Sequence, residues 1–184
     1  MLVYEGGFVV IQTTRFGQIE LNENEALNFP EGLLGFNQLR KFVLIDDPHD
    51  DIFAWLQSCE NGAIAFPVLE PELFAENYKV SLAKMDLDQL NMKSLQDGSS
   101  IFCIVTIPDD PTLMTANMKA PIVINIAQKT ARQCVLQDNQ LAIREPIFTK
   151  LQQRVVNQPN QSLKSQSPAM GVAKKIAPAG DAQL

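Results

Sequence analysis

This 184-residue chain is poor in the residues and motifs from which most catalytic centres are built. His49 is its single histidine, and Cys59, Cys103 and Cys134 stand far apart with no CxxC pair. Zinc ligands come in close spacings, so the pattern argues against a Cys/His metal centre. Three cysteines inside apolar, strand-like runs read as buried free thiols of a reducing compartment. There is no Gly-rich phosphate loop and no GxSxG. The start, Met1-Leu2-Val3-Tyr4-Glu5, lacks the basic residues of a signal peptide. The early apolar run Phe8–Ile11 falls far short of the ~20 residues of a membrane helix. The expectation is a soluble, cytoplasmic protein without a membrane anchor.

Charge is unevenly spread. Residues 1–110 carry 18 acids against 6 bases, and residues 111–184 carry 3 acids against 9 bases. The acidic part would repel a phosphate backbone, which argues against direct nucleic-acid binding. It would attract a basic partner, or simply keep the protein soluble.

The body, residues 1–147, reads as short strands between turn signals, an all-β, barrel-like fold of antiparallel strands with one or two short helices. The runs are Val9–Thr13, Gly17–Leu21, Phe42–Ile45, Phe53–Gln57, Ala63–Leu69, Ile101–Ile107, Ile122–Ile126 and Ala131–Leu136. Thr14-Arg15-Phe16 would turn a hairpin between the first two. Asp86–Leu90 reads as a short helix that Asp86 could cap. Pro146 can open a second helix over 148–157, where Ile147, Phe148, Leu151 and Val155 share a face for docking on the core or on a partner. Residues 158–184, rich in Gln, Pro, Ser, Ala and Lys, read as a flexible basic tail.

Candidate chemistry is sparse. His49 lies in the polar turn Asp47-Pro48-His49-Asp50-Asp51, and Asp109-Asp110 lies between two prolines; both read as turns rather than catalytic or metal sites. No nucleophile–base constellation emerges, so the chain reads as a non-enzyme needing no cofactor. Two stretches stand out. In Asn28-Phe29-Pro30-Glu31-Gly32-Leu33-Leu34-Gly35-Phe36 the glycines allow close backbone approach, and the apolar residues either plug the barrel or form a partner patch. In Met114–Asn125, Asn117 and Asn125 can tie loop backbone. Met114 and Met118 suit either an adaptable interface or the core.

The ordered series of motifs resembles the bacterial flagellar assembly factor FliW family. The matching pieces are Thr14–Ile19, Phe29–Phe36, Phe53–Ser58, Val105–Pro108, Met114–Asn117 running into Ala120–Asn125, and Ile143–Ile147. The resemblance covers about residues 8–147 and not the tail. It implies a small β-barrel-like protein without catalysis that binds CsrA, a basic RNA-binding translational repressor, and relieves repression of flagellin synthesis. It also implies flagellin binding in a partner exchange, by a protein monomeric on its own. The candidate partner-binding residues are Glu31, Leu33, Leu34, Asp109, Asp110, Met114 and Asn117. Another non-catalytic interaction module, or a small-ligand barrel, would be the alternatives; a filled barrel speaks against the last.

Overall fold

The computed structural model describes residues 3–5, 8–46, 52–157 and 174–175. The turn holding His49 and most of the expected tail lie outside these. The strands are β1 (Val3–Glu5), β2 (Phe8–Thr13), β3 (Gly17–Asn22), β4 (Leu27–Asn28), β5 (Lys41–Asp46), β6 (Ala54–Ser58), β7 (Ala65–Leu69), β8 (Ser99–Thr106), β9 (Thr115–Ala116), β10 (Ile122–Asn125), β11 (Thr130–Gln133), β12 (Glu145–Pro146) and β13 (Lys174–Lys175). The helices are α1 (Lys84–Gln89) and α2 (Phe148–Asn157).

Seven strands close a ring in the order β4-β5-β6-β7-β8-β10-β11, sealed by β10 on β8 and by the parallel pair β11–β4. The all-β, barrel-like expectation holds. A ring this small leaves room only for side chains. Leu27, Phe29, Leu33, Phe42, Leu44, Leu56, Phe102, Ile122 and Ile124 fill it. Phe29 and Phe42 meet edge to face, 5.0 Å between centroids.

The barrel wall is covered outside as well, which is why β5 reads as a continuous apolar run rather than an alternating one. Phe42 and Leu44 point inward, whereas Val43 and Ile45 join a second core beneath the β2–β3 hairpin and α2. On the hairpin, Val9 pairs with Leu21 and Ile11 with Ile19, all buried toward that core. Its turn forms as expected at residues 14–16: Thr13 Oγ1 accepts from the Phe16 N–H, and Gly17 takes φ +68°, open to glycine at little cost. The Arg15 guanidinium lies 3.5 Å from the Trp55 ring centroid, tying the turn to the barrel wall. A third core, with Leu90, Met92, Val123 and Cys134, lies under α1.

Local readings change in three places. Pro146 ends β12, paired with Thr115, and α2 starts at Phe148. Its docking on the core holds, through Leu151 after the fully buried Ile147. Helix α1 begins at Lys84 on an Ala83 cap, so Asp86 does not cap it. Within the expected tail, Lys174 and Lys175 pair with Glu20 and Ile19 of β3. Cys59, Cys103 and Cys134 are buried and free, and burial pushes each thiol up to about 12. No described helix is long and apolar enough to cross a membrane.

Candidate functional site

Strands β4, β6, β8 and β11 run one way and β5, β7 and β10 the other. Both motif-bearing loops, 29–40 after β4 and 107–114 after β8, therefore leave the same end of the barrel. Their side chains meet different fates.

In the first loop Leu33 is inside the barrel at 2% exposure, and so is Phe29 at 0%. Gly32 has φ +70°, and a Cβ there would lie 2.6 Å from the Phe36 carbonyl oxygen, so glycine is required. The chain doubles back through a Leu33–Phe36 bridge, which turns Leu34 outward. The Leu34 N–H donates to Gln133 Oε1 at 3.0 Å. Glu31 is exposed and reaches Arg132 of β11, Oε2 to Nη1 2.5 Å. The Arg132 Nε donates to Asp86 Oδ1 on α1 at 2.9 Å. One guanidinium thus ties the loop, α1 and the barrel wall together. The hydrogen bond from Arg132 holds the Glu31 carboxyl below its ordinary value.

In the second loop Asp109 and Asp110 are exposed, as a turn reading requires. Asp110 accepts from both the N–H and the Oγ1 of Thr112, 2.9 and 2.6 Å, and these bonds lower its pKa. Met114 is 6% exposed and Met118 5%, both in the hairpin-side core. Asn117 is half-buried, its Oδ1 accepting from the Ala120 N–H at 3.0 Å. Asn125 Nδ2 donates to the Leu90 carbonyl at 2.9 Å. The asparagines tie loop backbone, as expected.

Exposed partner-binding roles for Leu33 and Met114 are therefore corrected: both side chains are packed in cores and present no surface. Glu31, Leu34, Asp109 and Asp110 remain on the outside. No hydrogen bond or ion pair joins the two loops directly among the described residues; Gln133 instead ties the first loop to the segment before β10. Its Oε1 takes the Leu34 N–H, and its Nε2 donates to the Ala120 carbonyl at 3.1 Å.

An open cleft of ≈ 570 Å³ lies beside the first loop. It is lined by Glu31, Leu34, Met85, Asp86, Arg132 and Val135, among others. Met85, Arg132, Gln133 and Val135 carried no signal in the sequence, since each looks like an ordinary member of a helix or strand. Among the described residues, no group of three or more His, Cys, Asp or Glu is placed to hold a metal ion.

Comparison with known proteins gives a consistent result. The family model described as FliW protein matches residues 10–147. A flagellar assembly factor FliW of Bdellovibrio bacteriovorus is 64% identical over 176 residues, covering 96% of this chain and 100% of that protein. A match of that length runs past α2, so part of the 158–184 segment is shared with it, against the expectation that the likeness ends before the tail. A flagellar assembly factor FliW of Leptospira biflexa is 38% identical over 146 residues, 79% of this chain and 95% of its own. A crystal structure of the flagellar assembly factor FliW superposes with a TM-score of 0.70 at 31% identity, over 76% of this chain and 96% of that one.

Proposed function

The chain belongs to the FliW family of flagellar assembly factors, and from that premise we propose that it is a non-catalytic cytoplasmic binding protein that antagonises the translational repressor CsrA. Flagellin is the competing partner. Free flagellin occupies the protein and leaves the repressor active; when flagellin is exported, the protein is released to bind the repressor, and flagellin synthesis resumes. Family membership, resting on the match over residues 10–147, is the observation that carries this reading.

Physical features support it. The barrel interior is filled by side chains, which leaves no enclosed chamber there for a small ligand. The acidic 1–110 region favours encounter with a basic repressor. The exposed acids Glu31, Asp109 and Asp110 steer that encounter, with Leu34 as an apolar contact. Leu33 and Met114 hold the loops that present them, and Asn117 ties the turn that follows β9.

Titration calorimetry with purified CsrA, repeated under saturating flagellin, tests the exchange. We expect binding that flagellin abolishes, and by linkage flagellin binding that CsrA weakens by the same factor. A folded sample that binds neither would overturn the proposal and leave a β-barrel interaction module of another kind.

A further inference from the structure

Three large apolar side chains from three separate segments remain exposed at one place. Leu34 of the 29–40 loop is 58% exposed, Met85 of α1 61%, and Val135 just after β11 50%. All three line the ≈ 570 Å³ cleft beside Glu31, Asp86 and Arg132. An isolated exposed leucine needs no explanation, but convergence from separate segments on a concave surface marks an interaction site.

The cleft is also held in shape. Leu33 is locked inside the barrel, Gly32 packs against the backbone at Phe36 and Asn37, and the Leu34 N–H is held by Gln133. Arg132 fastens both Glu31 and Asp86. A preformed apolar surface binds with little ordering cost. Its charge selects the occupant. Two carboxylates face a single guanidinium in the lining, so the lining is net acidic, and the whole chain carries a net charge of −6. A phosphate backbone or a second copy of this acidic chain would be repelled. A protein segment with apolar side chains beside a lysine or arginine fits both features.

We propose that the cleft formed by Leu34, Met85 and Val135 is the docking site for an apolar segment of a basic protein partner, whose cationic group sits against Glu31. This rests on the binding role proposed above and assigns it a place. The apolar trio supplies the anchors, and Glu31 sets register.

The test uses the full chain and purified CsrA as the basic probe, with flagellin measured in parallel. Met85→Lys combined with Val135→Lys changes only exposed positions, and a melting curve checks that the variant is folded. Val156→Lys, at a residue 72% exposed near the end of α2 and outside both loops and the cleft, is the control. The expected result is roughly 30-fold weaker CsrA binding by the cleft variant, as loss of a hot spot gives, with the control unchanged. If the cleft variant does not fold, Leu34→Ser alone carries the test, with about tenfold weakening expected. Wild-type affinity in a folded cleft variant would overturn the cleft assignment and leave the binding role standing. Weakened flagellin binding with CsrA binding intact would overturn the choice of a basic occupant. Failure of the wild-type chain to bind CsrA would bring down the proposed function and this site with it.

Discussion

The loops 29–40 and 107–114 leave the same end of one barrel, and each carries proline, acid and large apolar residues. Loop 29–40 is held from afar: Glu31 pairs with Arg132, and the Leu34 N–H with Gln133, 99 positions away. At its acid, loop 107–114 is held locally, with Asp110 bonded to Thr112 two positions on. An acid with a hydroxyl residue close behind it forms a local cap. An acid without one is available for a tertiary ion pair, and through it for coupling one segment to another. The first loop is consequently the one that builds a cleft with other elements.

In their interiors the two loops should behave alike, and that is the largest effect expected. Leu33 and Met114 are both buried anchors. Leu33→Ala and Met114→Ala should each cost about 2–5 kcal/mol, the range for large-to-small changes in packed cores. Urea unfolding of each variant checks this. A cost below about 1 kcal/mol for either would mean that its loop rearranges to fill the space.

At their polar contacts the loops should separate. Arg132→Ala removes a mostly buried guanidinium from two carboxylates and frees the loop from α1. Because Glu31 is half exposed, the cost should stay near 1–3 kcal/mol, below that of a fully buried pair. Asp110→Ala removes only a cap on a single exposed turn, so a smaller loss than for Arg132→Ala is expected. The sharper readout is hydrogen exchange: Arg132→Ala should speed exchange in both loop 29–40 and α1, whereas Asp110→Ala should affect residues 110–114 only. Equal, local responses to the two changes would break the comparison.

The same distinction explains what the sequence made readable. Apolar runs such as Phe42–Ile45 and Ile101–Ile107 were visible as strands because burial on one or both faces leaves a run or an alternation in the chain itself. The two-residue strands β4, β9 and β12 were not, because pairing with distant partners makes them strands. Pro146 matched a helix start by local preference, but pairing with Thr115 placed it in β12. Asp86 matched a cap, but Arg132, 46 positions on, took its carboxylate. In the site, Glu31 and Leu34 stood out through their Gly-rich neighbours. Met85 and Val135 did not, since exposure of an apolar residue is a tertiary fact.

The smallest effect is the most diagnostic. Glu31 titrates below its ordinary 4.5, chiefly because Arg132 donates to its charged form. A carboxyl with a lowered folded pKa contributes stability that is complete above its unfolded value and is lost as pH falls through the folded one. The stability difference between wild type and Glu31→Gln should therefore be level from pH 7 to about 5 and shrink below 4.5. At a half-exposed pair it should stay under about 1 kcal/mol. Asp110 is lowered in the same direction, by bonds from Thr112, so the Asp110→Asn difference should follow a course of the same shape but shrink only below its own ordinary 3.8. Salt tells the two apart. The Glu31 difference comes from a pair of charges at the surface and should fall when salt is raised to about 0.5 M, where the screening length is only a few ångströms. The Asp110 difference comes from hydrogen bonds to a neutral neighbour and should barely move. If both fell together, the Asp110 carboxylate would be answering a cation elsewhere on the surface, and the second loop would be tied at a distance like the first.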